Sequence, residues 1–448
     1  MTQTNKMGEK PILPLLLSMS FPPMLSMLIQ SLYNIVDSYF VAQISVEALT
    51  AVSFAFPLQN LILAAALGTG IGANSYISRM LGEKQFHKAN LAASHAIVLA
   101  FFCYILFVLL GLVAIKPFFY LFTKEDVIIQ LGCQYTNIIV FFSFGTLIHI
   151  AIEKILQATG KMIFPMILQT IGALINIILD PILIFGLFGL PALGVRGAAI
   201  ATIIGQISSM TLALLIMLVK THDVKLIIKN FSLDISIIKQ IYVVGLPSFL
   251  MNALGSILVM GLNTILAGFS NIAVSVFGIY YKLQTFVYMP VSGLIQGVMP
   301  IMGYNYGAEN SVRLKTVLKD ALLITFGIMV FGTVLFWTCA EPLLLFFKAE
   351  NNMLSIGVPA LRIISIGFLP ATVGFQLATL FQAMGRGFYS LIIFLLRQLV
   401  ITLPLAFLLA PFLGLTGVWI SFPIAEAFAA IVSFFIYRNV KNKEILLQ

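Results

Sequence analysis

Apolar runs of about 20 residues or more, the length that crosses a hydrocarbon core, follow one another along almost all of this 448-residue chain. They lie near 11–42, 50–78, 92–115, 132–157, 162–187 and 193–219, and again near 237–268, 272–305, 317–340, 355–382, 388–411 and 414–437. Twelve membrane-spanning helices are expected, six in each half. Overall composition agrees: 60% of residues are hydrophobic, 9% are charged and the mean hydropathy is +1.06, which excludes a soluble domain of this length. The first run is interrupted by polar residues and has no small-residue cleavage pattern, so it is read as a span and not as a removed leader.

The halves repeat at one constant separation, the distance in sequence from Pro22 to Pro247. At that offset Leu58-Gln59 falls on Leu283-Gln284, Gly68 and Gly72 on Gly293 and Gly297, and Gly82 on Gly307. Gln157-Ala158-Thr159-Gly160-Lys161 falls on Gln382-Ala383-Met384-Gly385-Arg386. After a loop shortened by five residues, Gly194-Val195-Arg196-Gly197 meets Gly414-Leu415-Thr416-Gly417. Chance identities are common in so apolar a chain, so the matched glycines and the Gln-Ala-x-Gly-basic turn carry the weight. Repeated halves with a substrate site between them are a transporter signature. The expected organisation is an all-α polytopic membrane protein with two pseudo-symmetric six-helix lobes, 1–219 and 241–448. A polar connection, 220–240, joins them.

Charge placement sets the orientation. Lys and Arg total 25 against 16 acidic residues, but they are scattered through loops and not clustered with aromatics, so no nucleic-acid partner is expected. With both termini inside, the cytoplasmic loops collect 18 basic residues, among them Arg79, Lys84, Lys161, Lys225, Arg313 and Arg386. The opposite side has four, Lys116, Lys124, Arg196 and Lys348. The imbalance places both termini on the cytoplasmic side of a plasma membrane.

Both halves carry GxxxG in their second span, at Gly68/Gly72 and Gly293/Gly297. Small residues four apart let helix backbones approach closely in lipid, so tight packing is expected there, though such glycines would also suit a helix that slides or bends. Prolines such as Pro22, Pro23, Pro57, Pro247 and Pro290 lie inside spans, where kinks free carbonyls that can line a cavity. Cys103, Cys133 and Cys339 lack metal-ligand spacing and are expected as buried free thiols. His87, His95, His149 and His222 are spread over separate segments and are expected to satisfy local hydrogen bonds.

Acids inside the spans are the residues expected to carry chemistry, since a carboxylate at membrane depth costs at least a few kcal/mol on insertion scales. Asp37 lies inside the first span, where Gln30, Tyr33, Asn34 and Asp37 recur at three- and four-residue steps and form one polar stripe. Asp180 follows Asn176 by four residues in the fifth span, which puts an amide and a carboxylate on one face. Thr202, early in the sixth, adds a hydroxyl. Such oxygen ligands suit a hard cation; the same carboxylates suit a proton carrier. Glu153 beside Lys154 is either a site member or a snorkelling pair, and Tyr135, on the same face five turns earlier, is a candidate cavity residue. In the second half, Arg397 and Glu426 lie at similar depths and are expected to form a structural ion pair, while Lys282 sits inside a span with no partner legible in the sequence.

Taken together, Phe21-Pro22, Tyr33-Asn34-Ile35-Val36-Asp37, Gly72-Ala73-Asn74-Ser75-Tyr76-Ile77-Ser78-Arg79-Met80-Leu81-Gly82, Gln157-Ala158-Thr159-Gly160, Asn176-Ile177-Ile178-Leu179-Asp180-Pro181 and Gly197-Ala198-Ala199-Ile200-Ala201-Thr202 resemble the multidrug and toxic compound extrusion (MATE) transporters, in particular their DinF-type branch, over essentially the full length. The resemblance implies two six-helix lobes that open alternately to either side and export amphipathic or cationic drugs in exchange for Na+ or H+. It implies a cation site at Asp37, Asn176, Asp180 and Thr202, with Tyr135 beside the first-lobe cavity. Glu153 stands where some relatives have Asn. The acidic residue of the seventh span in NorM-type relatives is missing from 237–268, so a second-lobe ion site of that kind is not expected.

The expected function is therefore cation-coupled multidrug antiport, with drugs and membrane lipid as partners, no cofactor beyond the coupling ion, and a monomeric chain. A lipid-linked oligosaccharide flippase of related architecture is the alternative, but its pyrophosphate would want several inward cations, and only Lys282, Arg362 and Arg397 are candidates. No enzyme activity is expected, since HExxH, GxSxG and a phosphate-binding loop are all absent.

Overall fold

The computed structural model describes residues 5–219, 223–227, 229 and 231–441, and these are helical almost throughout. A short helix α1 (Lys6–Glu9) precedes α2 (Ile12–Ala42), α3 (Val46–Gly82), α4 (Phe86–Tyr120), α5 (Asp126–Phe141), α6 (Phe144–Ala158), α7 (Ile163–Phe185) and α8 (Val195–Val219). The second half contributes α9 (Ile235–Ala267), α10 (Asn271–Gly307), α11 (Ser311–Thr338), the short α12 (Ala340–Phe346), α13 (Asn351–Ser365), α14 (Phe368–Ala383), α15 (Gly387–Leu395) and α16 (Thr402–Val440).

Among the described residues, nine helices are long and apolar enough to cross a membrane, and two bent pairs bring the number to 11. The last of the nine runs 54 residues, from Gly387 to Val440. At about 1.5 Å per residue it would be roughly twice as long as a bilayer is thick. It breaks at Gly414, whose φ of 59° and ψ of −144° are open to glycine and costly for other residues. Read as two spans, this segment completes the expected twelve. The fourth and tenth spans, expected as single helices over 132–157 and 355–382, are instead broken and bent by 45°. At the first break Ser143 turns both its amide and its hydroxyl back to the Val140 carbonyl, at 3.2 and 2.9 Å. Gly367 occupies the second break.

The duplication holds in the backbone. Helices α3 and α10 start and stop at equivalent positions of the repeat, Val46 with Asn271 and Gly82 with Gly307, and α4 and α11 start at the equivalent Phe86 and Ser311. Ser45 caps α3 by accepting from the Ala48 amide at 3.0 Å, and Ser270 caps α10 by accepting from Ala273 at 3.1 Å. The turn after each QAxG run passes through a glycine at φ 80°, Gly160 and Gly385.

Contacts divide the chain into two compact units: Leu25–Phe249, and Met1–Met24 with Leu250–Gln448. The cuts fall inside α2 and α9, next to Pro22-Pro23 and Pro247, and occupy equivalent positions of the repeat. These units differ from the lobes 1–219 and 241–448 read from the repeat, because the start of each half packs with the body of the other half's sequence. The GxxxG glycines give the physical reason. In the first unit a Cβ at Gly72 would lie 2.1 Å from the Ile241 carbonyl oxygen, and one at Gly68 would lie 2.8 Å from Phe249 Cβ. In the second unit a Cβ at Gly293 would lie 2.6 Å from Met24 Cα, and one at Gly297 would lie 2.8 Å from the Met19 carbonyl oxygen. Only a bare backbone seats the first half of α9 on α3, and of α2 on α10.

Each unit has its own core, around Phe119, Tyr135 and Leu147 in the first and around Phe277, Tyr280, Phe336 and Trp419 in the second. Outward faces are apolar as well: Leu109, Leu112 and Val113 on α4 are exposed, as suits lipid and not water. The three cysteines are free and partly buried, less enclosed than expected.

Within the first unit the connection before α9 is strapped to α4. Lys225 N–H donates to Asn90 Oδ1 at 2.7 Å, Ile227 N–H to Ser94 Oγ at 2.8 Å, and Asp234 N–H to His95 Nε2 at 2.8 Å. His95 Nδ1 in turn donates to the Leu91 carbonyl at 2.8 Å, so its ring has the hydrogen-bonding role expected of it. Of the expected linker 220–240, residues 220–222, 228 and 230 lie outside the described residues, His222 among them.

Candidate ion and substrate site

The first unit brings the polar stripe of α2 against α7 and α8. Asp180 and Asn176, one turn apart on α7, are buried, as is Thr202 near the start of α8. Close helix packing makes this possible: a Cβ at Gly205 would lie 2.6 Å from the Gly172 carbonyl oxygen, so α7 and α8 touch through bare backbone a turn from the site. The hydrogen-bond network fixes the Asn176 amide, with Nδ2 donating to Asp180 Oδ2 at 2.9 Å. Its Oδ1 then accepts from Thr202 Oγ1 at 3.2 Å and from the Thr202 amide at 3.0 Å.

Asp37 stands within hydrogen-bonding reach of Asp180. Two carboxyl groups can bond only if a proton lies between them, and two bare carboxylates so placed repel unless a cation separates them. Asp37 Oδ1 is buried with no hydrogen-bond partner among the described residues. An orphaned acceptor of this kind fits a bound cation or a proton. No group of three or more His, Cys, Asp or Glu side chains converges among the described residues. A cation here would rest on mixed oxygens: Asp37, Asp180, the Asn176 amide and Thr202.

Tyrosines frame the cluster. Tyr33 lies on the same stripe of α2 as Asp37, and Tyr135, buried on α5, accepts from Gln59 Nε2 at 2.8 Å with its hydroxyl. Gln59 of α3 is a member of this site that the sequence reading did not single out; its match to Gln284 in the repeat was the available signal. Gln30 accepts from Gln169 Nε2 at 3.1 Å, so it is bound across to α7. Asn34 is exposed, and its side chain has no hydrogen bond among the described residues.

Glu153 makes no hydrogen bond to this cluster among the described residues, and it does not snorkel. It is buried in a closed network at the end of α6, where Lys154 Nζ donates to Glu153 Oε1 at 3.1 Å and to Gln157 Oε1 at 3.0 Å. Gln157 Nε2 completes the ring by donating to Glu153 Oε1 at 2.8 Å. Asn74 of α3 donates to the Lys154 carbonyl at 3.2 Å and ties the network to the GxxxG helix.

In the second unit Arg397 and Glu426 are paired and buried, with Nε to Oε2 at 2.6 Å and Nη2 to Oε1 at 2.9 Å. Lys282 is exposed, with no hydrogen bond or ion pair among the described residues.

Comparisons with known proteins converge. A family model described as MatE matches residues 22–182 and again residues 247–408, in register with the duplication. The multidrug export protein MepA of Staphylococcus aureus (strain MRSA252) is 27% identical over 437 residues, covering 97% of this chain and 95% of its own. Its counterpart in Staphylococcus saprophyticus is 26% identical over 425 residues, with 95% and 93% covered. A solved structure described as the outward-facing conformation of a multidrug resistance MATE family transporter of the MOP superfamily superposes with a TM-score of 0.90 at 28% identity. It covers 98% of this chain and 97% of its own.

Proposed function

The chain belongs to the MatE family of multidrug transporters, and from that premise we propose that it is an antiporter exporting lipophilic or cationic drugs in exchange for Na+ or H+. It is a multi-pass membrane transporter of twelve helices and not an enzyme. The observation that carries the coupling is the close pairing of Asp37 with Asp180, with Asn176 and Thr202 completing an oxygen cluster around the orphaned Asp37 Oδ1. An ion and a cationic drug drawn to the same two carboxyl groups would compete for them. An ion can drive export only if it binds one conformation more tightly than the other. Drug recognition would rest on the aromatic residues near the acids, Tyr33 and Tyr135, through cation–π and apolar contact.

The DinF-type branch is our finer reading, supported by Asp37 with Asn176-x-x-x-Asp180 and by the lack of any acid over 237–268. The basic-residue bias supports cytoplasmic termini in a plasma membrane. A lipid-linked oligosaccharide flippase gains nothing from the second unit, because the Arg397 guanidinium is already forked onto Glu426.

The test is efflux of a fluorescent lipophilic cation from proteoliposomes under an imposed Na+ gradient and, separately, an imposed H+ gradient. Efflux driven by one gradient and lost in Asp37→Asn is the expected result and names the ion. No cation movement under either gradient would turn the reading toward lipid transport.

A further inference from the structure

Beside the Arg397–Glu426 pair the second unit holds a cavity of about 120 Å³, walled by α10 and by the break between α15 and α16. Its size is close to the roughly 150 Å³ void that admits one benzene ring in an apolar protein core. Part of the wall is aromatic, with Phe277, Tyr280, Tyr281 and Phe422, and Leu258 adds an aliphatic side chain. Unlike a packing void, it also has a polar wall: Arg397, Gln284, Gln398, Thr402 and Glu426.

That polar wall has hydrogen-bond donors to spare. Each Glu426 oxygen accepts one bond of the Arg397 fork. Fork formation uses two of the five N–H groups that a guanidinium carries. Tyr280, whose ring lines the cavity, has a buried hydroxyl without a hydrogen-bond partner among the described residues. Thr402 gives its hydroxyl proton to the Arg397 carbonyl. The net charge of the wall is zero, because the only acid and the only base neutralise each other. An incoming cation would meet Arg397 beside Glu426, and an incoming anion would meet Glu426 beside Arg397, so the paired wall favours neither sign of charge.

Backbone geometry singles out the same place. Between α15 and α16 the chain forms a π turn, Leu396–Val400, which sets Arg397 against the Phe375 ring with its guanidinium carbon 4.1 Å from the centroid. Single π turns inside helices recur at binding sites because they open the hydrogen-bond ladder and re-aim one side chain. Here that side chain is Arg397, and its carbonyl, released from the regular ladder, is the acceptor for Thr402.

We propose that this cavity is a second ligand site, distinct from the Asp37 cluster, and that it takes an uncharged aromatic ring bearing an oxygen acceptor, such as an aryl ketone or the aryl carbonyl end of a larger amphipathic molecule. The ring fills the aromatic walls. The carbonyl takes the proton offered by Tyr280 or by the unforked N–H groups of Arg397.

Full-length protein in lipid nanodiscs tests this by 19F line broadening, with 4-fluoroacetophenone as the ring with an acceptor and fluorobenzene as the ring without one, against empty nanodiscs. The wild type should bind the ketone about five-fold more tightly than fluorobenzene, the scale of one net hydrogen bond. Tyr280→Phe, which keeps the ring, or the paired Arg397→Met/Glu426→Leu variant should reduce that preference at least two-fold, and Leu258→Trp should abolish binding of both probes. Signals no different from empty nanodiscs mean a water-filled cavity and overturn the proposal. So does a ketone preference unchanged in both Tyr280→Phe and the paired variant. Tighter binding of 4-fluorobenzylammonium, lost in Glu426→Gln, would make it a cation site and also overturn it. The assay needs neither a gradient nor Asp37, so its failure is separate from failure of the antiport reading.

Discussion

Arg397 holds Glu426 through both carboxylate oxygens, at 2.6 and 2.9 Å, inside a unit where neither has another charged partner among the described residues. A pair buried this way is expensive to break from one side and cheap to replace whole, because a single substitution leaves an uncompensated charge in an apolar surround. Arg397→Met alone should lower the stability of purified protein by about 3–5 kcal/mol. The double variant Arg397→Met/Glu426→Leu should recover most of that loss. Thermal unfolding of the four-member cycle in one detergent measures it; equal losses in the single and double variants would contradict the pairing.

Asp37 and Asp180 should behave differently from Asn176 and Thr202 in transport. Asp37→Asn should remove gradient-driven efflux, since an amide neither carries a proton nor neutralises a cation. Thr202→Val keeps both charges and removes one oxygen and one hydrogen bond, so ion dependence should weaken on the order of tenfold, the effect of about 1–2 kcal/mol. The ion concentration giving half-maximal efflux in proteoliposomes reports it. An unchanged midpoint in Thr202→Val would remove Thr202 from the site.

The GxxxG seats predict a contrast between glycines. Gly72→Ala places a methyl 2.1 Å from a backbone oxygen that has no side chain to move aside, and Gly297→Ala sets one 2.8 Å from another. Each should destabilise by about 1–3 kcal/mol through overpacking. Gly255 on α9 and Gly327 on α11 have nothing within 4 Å of a built Cβ. Alanine there should be neutral or slightly stabilising, because it lowers the cost of the helical backbone. Melting temperatures of the four single variants in the same detergent make the comparison.

The strap before α9 gives a local prediction. His95→Phe keeps the ring that packs on Phe231 but removes the acceptor for the Asp234 amide. Hydrogen exchange at Asp234 and Ser236 should quicken several-fold while α4 itself stays protected. The Asp234 carboxyl accepts from the Ser236 side chain and amide, which holds it below its ordinary value of 3.8. Its contribution is thus complete at neutral pH and is lost only as pH falls through the lowered value, below 3.8. Exchange in this segment should be insensitive to this carboxyl between pH 5 and 8.

What was legible in the sequence follows from local and periodic rules. Span length comes from bilayer thickness, so eleven long or paired helices and the Gly414 break fall where apolar runs placed twelve spans. The polar stripe with Asp37, and Asn176 one turn from Asp180, came from helical spacing. That these share one cluster with Thr202 came from the resemblance to a known family and not from spacing itself. The duplication that aligns Gly68 and Gly72 with Gly293 and Gly297 predicted matched packing seats, and the close backbone approaches at all four glycines are those seats.

The tertiary structure decided the rest, because it depends on which distant segments meet. Repeat boundaries mark where a sequence was copied, but compact units follow backbone contact, and Gly72 and Gly297 seat helix segments drawn from the opposite half of the chain. A charged residue near a span end can snorkel or be buried with equal local logic. Only the arrival of Lys154 and Gln157 at Glu153 Oε1 closed that network. Similar depths for Arg397 and Glu426 allowed a pair, whereas the fork, the π turn and the ring-sized cavity beside them needed α9, α10, α13, α14 and α16 to converge. Each helix's own polar and apolar faces are written in its spacing; contact between faces is set by the packing of side chains far apart in the chain.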